Sequence, residues 1–301
     1  MALAFCNTTT DSSGRELVEH GTIPFPIACY HDDLTESEVP WHWHEELEAA
    51  IISEGCAIVA AGKEKQLVHA GEGFFINSGV LHGAWIADTS SCRFHSLVFH
   101  PRLVGGSLDS VFYQGYVRPI SENAALEWFL LRPSEDWQRT ALEAIERAWQ
   151  LTVREESGYE FGVRSALSEL VYALWSHLPA QKQAPSVKSI RDAERIKAML
   201  SCIHENYGSD LNIGRIAACV SISESECLRC FRATIGTTPI QYLKQYRIQQ
   251  AAQQLTETDD KIAEIANRCG FQDMSYFTRA FRELKGCTPT EYRRPKQKSQ
   301  P

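Results

Sequence analysis

Four polar side chains alternate along one short stretch, and they belong to the types that bind metals. The stretch runs His42-Trp-His44-Glu-Glu46-Leu-Glu48. If it forms one regular strand, these side chains point to the same face of a sheet, because successive residues alternate between faces. Two imidazoles and a carboxylate on one face, joined by a fourth ligand from elsewhere, suit a divalent transition metal such as zinc, nickel, iron or manganese. The stretch therefore predicts a site for one such ion.

A second chemical feature is a pair of basic segments near the other end of the chain. Residues 229–242 are repeated fifty residues later as residues 279–292, and seven of the fourteen aligned positions are identical. A repeat array needs about three or more units to bury a continuous core, whereas this chain has two. Two copies that both carry outward arginines predict a paired surface for binding double-stranded DNA.

Each copy is expected to fold as two short helices joined by a tight turn. In the second copy, Ile262, Ile265 and Cys269 recur at helical spacing. Gly270 then ends the first helix, and Asp273 caps the next one. On each second helix, residues three, four and seven apart form one outward face. We expect the following residues of these faces to contact DNA: Ser225, Leu228, Arg229, Arg232, Met274, Ser275, Thr278, Arg279 and Arg282.

The whole C-terminal segment, residues 211–293, resembles the DNA-binding domain of AraC/XylS-type transcription regulators. The residues that carry the resemblance are Ile265-Ala266, Gly270-Phe271, Ser275-Tyr276-Phe277, Arg279-Ala280-Phe281 and Gly286-x-Thr288-Pro289-x-x-Tyr292-Arg293. The resemblance implies two helix-turn-helix modules joined by a linking helix, with RNA polymerase as a partner. Residues 239–255 predict that helix, and its length of roughly 24 Å would set the modules about one DNA turn apart.

Charge is distributed unevenly along the chain. The net charge is −8, but residues 190–301 hold 17 basic and 13 acidic side chains. The remaining residues hold 13 basic and 25 acidic side chains. The positive charge therefore lies with the segment expected to bind DNA, while the acidic part is unsuited to lie on phosphate.

Composition also indicates where the protein works. Residues 1–14 lack the pattern of a signal peptide, and no stretch approaches about 18 consecutive apolar residues, so we expect a cytoplasmic protein without a membrane segment. The ten cysteines are scattered along the chain, and most are expected to be reduced thiols packed as small hydrophobes. Cys227-x-x-Cys230 is expected to pack in a helix core, with a redox or zinc role as the alternative.

The N-terminal part is punctuated by Gly and Asn at the spacing of a barrel or sandwich. Short strands are predicted at residues 23–30, 49–52, 56–61, 65–68, 73–76, 82–86 and 93–99. His42-x-His44-x3-Glu48-x6-Gly55 and Gly71-x5-Asn77-x-Gly79-x2-His82 are similar to the two motifs of the cupin barrel. This resemblance implies that His42, His44, Glu48 and His82 are the metal ligands. The chain departs from the motif at Asn77, where proline is usual, and at Ile86, where asparagine is usual.

The barrel interior is the expected pocket for a small-molecule effector, because the mouths of small barrels concentrate ligand sites. Its candidate lining residues are His42, His44, Glu46, Glu48, Phe75, His82, Trp85 and Phe99. Two alternatives stay open. The polar residues can serve packing or an organic ligand without any metal, and the aromatic residues can belong to the core.

Three helices are expected after the strands, at residues 121–131, 136–155 and 158–178. The last has a broad apolar stripe that includes Phe161, Leu170 and Trp175. Half of that stripe is expected to form a homodimer interface, and intramolecular packing alone is the alternative. Residues 179–189 are polar and contain proline, which predicts a linker. The first helix of the next domain is expected at residues 192–206.

These observations predict an α+β protein of two domains. Residues 1–178 would form a cupin-like β-barrel with flanking helices, and residues 190–301 an all-α double helix-turn-helix domain. The expected function is sequence-specific regulation of transcription in response to an effector in the barrel. A metal-dependent cupin enzyme, or a metal or thiol sensor, carrying the same DNA-binding domain is the alternative. We favour a protein that is not an enzyme, because Glu46 is the only acid–base candidate beyond the ligand set.

Overall fold

The computed structural model describes residues 10–11, 14–87, 91–123, 125–178 and 187–293. The chain divides into two compact units, Met1–Ala193 and Glu194–Pro301. The predicted linker lies mostly outside the described residues, and so do residues 1–9 at the N-terminus. The first unit combines strands with helices, whereas every described element of the second unit is a helix.

Nine strands of the first unit form two antiparallel sheets. The strands are β1 (Ile27–Asp33), β2 (Val39–His42), β3 (Leu47–Glu54), β4 (Cys56–Ala61), β5 (Glu64–His69), β6 (Gly73–Ile76), β7 (His82–Ile86), β8 (Arg93–Phe99) and β9 (Trp128–Leu131). One sheet has the order β1-β8-β3-β6-β9, and the other has the order β2-β7-β4-β5. The bounds of β4, β6, β7 and β8 agree with the sequence prediction. The first predicted strand begins later than expected, at Ile27.

Alternation along the strands divides the core of this unit into two layers. Ala50 and Ile52 of β3 face the space between the sheets, where they pack with Val59 and Ala84 of the four-stranded sheet. Leu47, Ala49 and Ile51 face the opposite side of the five-stranded sheet, which is covered by helices. The five-stranded sheet is therefore buried on both faces, and its inner face is the one that can contribute to an interior site.

Helices cover the outer face of the five-stranded sheet. They are α1 (Arg102–Gly105), α2 (Arg118–Ser121), which directly follows a π-helix at Tyr113–Val117, α3 (Asp136–Arg154) and α4 (Tyr159–Ser176). The predicted helix at residues 121–131 is wrong, because its last four residues form strand β9, which pairs with β6. Trp128 and Leu131 of β9 are buried, so pairing and burial at the edge of the sheet determine the conformation of this segment.

The apolar stripe of α4 serves mainly the interior of the unit. Ala166, Leu167, Leu170 and Leu174 are fully buried in the core that α4 shares with α3 and the sheet. Phe161, in contrast, is 85% exposed. Most of the stripe predicted as a dimer interface is thus occupied by intramolecular packing.

The second unit consists of helices arranged as two modules around a long central helix. The helices are α5 (Val187–Asn206), α6 (Ile213–Cys219), α7 (Glu224–Ile235), α8 (Pro239–Glu257), α9 (Ile262–Arg268), α10 (Met274–Lys285) and α11 (Pro289–Arg293). Helix α5 begins at Val187, earlier than the predicted residue 192. Helix α8 begins with Pro239 in its first turn and with a capping box between Thr238 and Gln241. Helices of both modules pack against α8, so it is the connecting element that the sequence predicted.

Cysteines of the second unit occupy two kinds of position. Cys202 of α5 and Cys219 of α6 form a disulfide, and the other seven described cysteines lie outside it, which agrees with the expectation that most thiols are reduced. Cys227 and Cys230 are buried in α7 outside the disulfide, and the Cys227 thiol contacts the sulfur of Met199 at 3.4 Å. The packing role expected for this pair therefore agrees with its position. Among the described helices, none has both the length and the apolar character needed to cross a bilayer.

Candidate functional site

The structure brings His42, His44, Glu48 and His82 together, and we call this group the four-residue cluster. One ligand atom from each residue lies within 4.8 Å of those of the others, and all four residues are buried. His42 ends β2, and it pairs with His82 at the start of β7 in the four-stranded sheet. Glu48 lies in β3 of the five-stranded sheet. The cluster thus joins the inner faces of both sheets.

The expectation that residues 42–48 form one strand is wrong. Strand β2 ends at His42, β3 begins at Leu47, and the two strands belong to different sheets. His44 lies on the connection where the chain crosses from one sheet to the other, so simple alternation does not place its side chain. The ligand types were predicted for the right positions, but the backbone that presents them is a crossover rather than a regular strand.

All three imidazoles of the cluster are oriented by backbone carbonyls. The Nδ1 atoms of His42, His44 and His82 lie 2.9, 3.1 and 2.8 Å from the carbonyl oxygens of Pro40, Glu46 and Val80. A carbonyl oxygen only accepts hydrogen bonds, so each Nδ1 carries the proton and donates it. The lone pair of each neutral ring then lies on Nε2. Metal-binding histidines are commonly fixed in this way by a hydrogen bond from the other ring nitrogen.

Burial and neighbouring charges determine the protonation states of the cluster. The Nε2 atom of His82 lies 2.9 Å from a carboxylate oxygen of Glu48, and that of His44 lies 3.6 Å from it. Burial, together with the nearby His82, lowers the pKa of His42 to about 3. Burial alone would raise the pKa of Glu48, but its contacts with His44 and His82 outweigh burial and lower that pKa. His42 is therefore neutral and Glu48 ionised at neutral pH, and these are the forms that bind a metal. Contacts with Glu48 outweigh burial and raise the pKa of His82, so an ion competes with a proton for that ring.

The other predicted pocket residues do not face the cluster. Phe75 and Phe99 are buried on the helix-covered face of the five-stranded sheet. Trp85 alternates with His82 along β7 and packs against Trp41 on the opposite face, with a ring separation of 5.2 Å. The carboxylate of Glu46 approaches the Nδ1 side of His44, at 4.0 Å, rather than its Nε2 side. The prediction that the three aromatic residues line an interior pocket is wrong, because their parity places them outside it.

A cavity beside the cluster is lined by residues that the sequence did not single out. It measures about 20 Å³, and Glu16, His20 and Tyr30 line it together with His42 and Glu48. A cavity needs roughly 10–15 Å³ to hold a water molecule, so this one has room for about one. Glu16 and His20 are an acid and an imidazole four residues apart, but no periodic pattern distinguishes them. Their contribution depends on long-range contacts that a sequence pattern does not reveal.

The second helices of the two modules, α7 and α10, are the candidate recognition helices. Ser223 and Asp273 cap them by accepting hydrogen bonds from the backbone of Glu226 and Tyr276. Gly236 and Gly286, both with positive φ, end them. Of the residues predicted to contact DNA, Leu228 and Thr278 are half-buried and all the others are exposed: Ser225, Arg229, Arg232, Met274, Ser275, Arg279 and Arg282. The outward faces are therefore those that helical spacing predicted.

Comparison with protein families and known proteins identifies both units. Residues 24–175 match the model of the AraC-like ligand binding domain, and residues 216–295 match that of a helix-turn-helix domain. The chain belongs to the AraC family of transcription regulators. It combines the family's cupin-like ligand-binding domain with its DNA-binding helix-turn-helix region.

Relatives of this AraC-family chain extend over nearly its full length. It is 31% identical to an HTH-type transcriptional regulator, YdeC, of Bacillus subtilis, over 96% of this chain and 98% of that protein. It is 24% identical to the HTH-type transcriptional activator RhaR of Mannheimia succiniciproducens, over 84% of this chain and 87% of that protein. A solved structure of ToxT from Vibrio cholerae, bound to an unsaturated fatty acid, covers 92% of this chain and 97% of that chain, at 14% identity and a TM-score of 0.41.

The two recognition helices of this AraC-family regulator differ in charge. In α7, the carboxylate of Glu226 lies 2.9 Å from the guanidinium of Arg195 and also pairs with Arg229. In α10, the guanidinium of Arg279 lies 5.7 Å from the ring centre of Tyr276. An acidic side chain therefore pairs with the arginine of α7, whereas an aromatic ring supports the arginine of α10.

Proposed function

We propose that this regulator binds double-stranded DNA sequence-specifically through α7 and α10, and that its N-terminal unit senses a divalent transition metal. The ion would be held by His42, His44, Glu48 and His82. The observation that supports this proposal is the orientation of the three imidazoles, whose Nδ1 atoms donate to backbone carbonyls. That arrangement leaves three Nε2 atoms and one carboxylate directed to a common point, which suits zinc, nickel, iron or manganese.

The ion itself is the candidate effector. Its ligands come from both sheets, so binding would tie the inner faces of the sheets together. The adjoining cavity of about 20 Å³ accommodates a water molecule on the ion but not an organic compound. The donor set also fits the ion chemically, because the buried Nε2 atoms of His44 and His82 lie 3.6 and 2.9 Å from the Glu48 carboxylate, so nitrogen and oxygen donors face one point. A cation at that point would satisfy both atoms.

A small organic effector is the second candidate, and the match of residues 24–175 to a ligand-binding domain favours it. Such a molecule would enter the interior between the sheets and would need the cavity to widen. An enzyme that uses the metal is a weaker candidate, because the relatives named above are transcriptional regulators. Metal dependence of DNA binding separates the ion from the organic molecule as the signal.

Activation of transcription in the cytoplasm, through contact with RNA polymerase, is part of the same proposal. The relative RhaR is named a transcriptional activator, which supports activation here. We also propose a homodimer, with Phe161 and Tyr172 of α4 at the interface, because they are 85% and 59% exposed. These two positions, eleven residues apart, fall on the same side of α4, and a contiguous exposed apolar face marks a protein contact. Light scattering should show a dimer that Phe161→Ser weakens.

Metal analysis of the purified protein tests the central proposal. Protein prepared without chelator should hold about one equivalent of transition metal, and His44→Ala should hold less than about a tenth of that. His69→Ala is the matched control, because His69 is exposed on β5 away from the cluster. A wild-type protein that contains no metal and takes up none on titration would contradict the proposal.

DNA binding then separates the two candidate effectors. Duplexes that the protein enriches from a random pool supply the target for anisotropy measurements with and without bound metal. If the ion is the signal, its removal should change the affinity by about 5-fold or more. If metal binds but the affinity stays constant, the ion is structural and the organic effector becomes the leading candidate.

A further inference from the structure

Residues that precede β1 pair with the backbone beside the four-residue cluster. We call residues 14–20 the N-terminal segment. The backbone amide of Glu16 donates to the carbonyl of Trp43 at 2.9 Å, and the amide of Trp43 donates to the carbonyl of Gly14 at 3.0 Å. Trp43 lies on the crossover between His42 and His44. The segment is therefore paired with the same few backbone atoms that position two of the candidate metal ligands.

This pairing directs the side chain of Glu16 inward. One carboxylate oxygen of Glu16 lies 3.9 Å from the Nε2 atom of His42, and the side chain is 3% exposed. The same oxygen lies 3.1 Å from the Nε2 atom of His20, whose Nδ1 atom lies 2.8 Å from the hydroxyl of Tyr30. A buried carboxylate is costly unless it is hydrogen-bonded, so this chain of contacts fixes where Glu16 points.

Glu16 lines the cavity together with His42 and Glu48 of the cluster. Its volume of about 20 Å³ suits one water molecule. Four protein ligands leave an octahedral ion with open positions, and a water on such an ion is a strong hydrogen-bond donor. A carboxylate that lines the same water-sized space as two of the ligands is well placed to accept that bond.

We propose that Glu16 accepts a hydrogen bond from the water on the metal ion and thereby fastens the N-terminal segment over the site. The inference rests on the proposed metal site and adds a coupling to it. His20 and Tyr30 act as positioning residues, since they hold the Glu16 carboxylate in place. Binding of the ion and docking of the segment then stabilise each other.

Thermodynamic linkage gives this coupling a measurable size. Loss of a group that supports a metal from outside its ligand set costs about 10- to 100-fold in metal affinity. Glu16→Gln should therefore weaken metal binding by about 10-fold or more. Coupling between two binding events is reciprocal, so the ion should favour docking of the segment by the same factor. Neither effect is expected from an exposed glutamate of the same segment.

Limited proteolysis supplies a readout that does not depend on DNA binding. Trypsin cleaves after Arg15, whose side chain is 48% exposed and pairs with Glu45 on the surface. Added Mn²⁺, which prefers octahedral coordination, should slow this cleavage about 10-fold in the full-length protein. The ratio of cleavage rates with and without Mn²⁺ is compared within each variant, because Glu16→Gln also alters the bond that is cut. Mass spectrometry identifies the product.

Two controls keep the test interpretable. Glu19→Gln changes an exposed glutamate of the same segment and should keep wild-type affinity and protection. Tyr30→Phe removes only the hydroxyl that holds His20. It should lower the metal affinity and the protection from trypsin less than Glu16→Gln does. Circular dichroism checks that each variant is folded.

The outcomes distinguish failure of the coupling from failure of the proposed metal site on which it rests. If the wild-type protein binds no metal, the proposed metal site fails. If it binds metal that His44→Ala loses, while Glu16→Gln keeps the same affinity and the same protection, the metal site stands and the coupling is overturned. Weaker binding together with lost protection in Glu16→Gln alone supports the coupling.

Discussion

Glu226 pairs with Arg229 on the next turn of recognition helix α7, with 3.6 Å between carboxylate and guanidinium. The same carboxylate lies 2.9 Å from Arg195 of α5. Two positive charges that could face phosphate are thus partly neutralised in the first module. The second module has Arg279 beside the ring of Tyr276 instead. The two modules are expected to contribute unequally to DNA affinity.

Glu226→Gln should strengthen binding to unrelated DNA. The neutral side chain releases Arg195 and Arg229 to pair with phosphates, so the salt dependence should steepen by roughly one unit of slope for each additional phosphate that is neutralised. Fluorescence anisotropy with a scrambled duplex over a salt series measures both the affinity and the slope. Glu257→Gln, at an exposed position of α8, is the control and should leave the slope unchanged.

Glu224→Lys should act in the same direction. Glu224 is exposed in the first turn of α7, and an acidic side chain there repels phosphate. The substitution should raise affinity for scrambled DNA and steepen its salt dependence. If that affinity stays at the wild-type value, Glu224 is remote from the DNA backbone and α7 is not oriented as we expect.

Removing one arginine from each recognition helix should abolish specific binding. Each base contact is worth about 1 to 3 kcal/mol, and Arg229 and Arg279 lie in separate modules, so their losses should add. A gel-shift titration of the Arg229→Ala, Arg279→Ala double variant measures the effect. Lys261→Ala removes a basic charge near the start of α9 instead and should bind normally. Full binding by the double variant would show that these faces do not read DNA.

Gly270→Ala should destabilise the C-terminal unit more than Gly286→Ala. Both glycines have positive φ, which costs a residue with a side chain about 1–2 kcal/mol. A Cβ at Gly270 would also lie 2.6 Å from the carbonyl oxygen of Tyr207, whereas one at Gly286 meets no atom within 4 Å. Thermal denaturation should therefore give a lower Tm for Gly270→Ala. Equal values would show that backbone strain alone determines the cost.

Buried thiols of the recognition modules should resist alkylation. Burial raises the pKa of Cys227 and of Cys269 from 9.0 to about 11, so only about a thousandth of each is thiolate at pH 8. Because the folded state favours the protonated thiol, its stability should fall as the pH rises from 9 towards 11. Mass spectrometry after brief iodoacetamide treatment at pH 8 should find Cys56 and Cys287, which are half-buried, modified before Cys227 and Cys269.

Local patterns predicted the strands that pack by simple alternation. Strands β4, β6, β7 and β8 begin and end where the sequence indicated, because glycine or a polar turn bounds each apolar run. Strand β9 was missed because Trp128–Leu131 is four apolar residues without alternation, next to segments that favour helix. Its extended form depends on pairing with β6, which lies some fifty residues earlier in the chain.

The site was predictable in its ligand types but not in its surroundings. His42, His44, Glu48 and His82 are recognisable from spacing, whereas the crossover that carries His44 depends on how the sheets pack. The buried contact between Glu16 and His42 joins the N-terminal segment to the end of β2, and no local pattern encodes it. Phe75 and Phe99 were assigned to the wrong face because alternation does not say which face helices will cover.

Helix α8 fixes the orientation of one module relative to the other about the helix axis. It has 19 residues and packs against helices of both modules, so they are connected through one rigid element. Each residue of an α-helix advances the chain by about 1.5 Å and turns it by about 100°. A single inserted residue would therefore turn α10 by about 100° relative to α7. Substitution along α8 can adjust stability, whereas a change in its length would alter which DNA spacing the protein recognises.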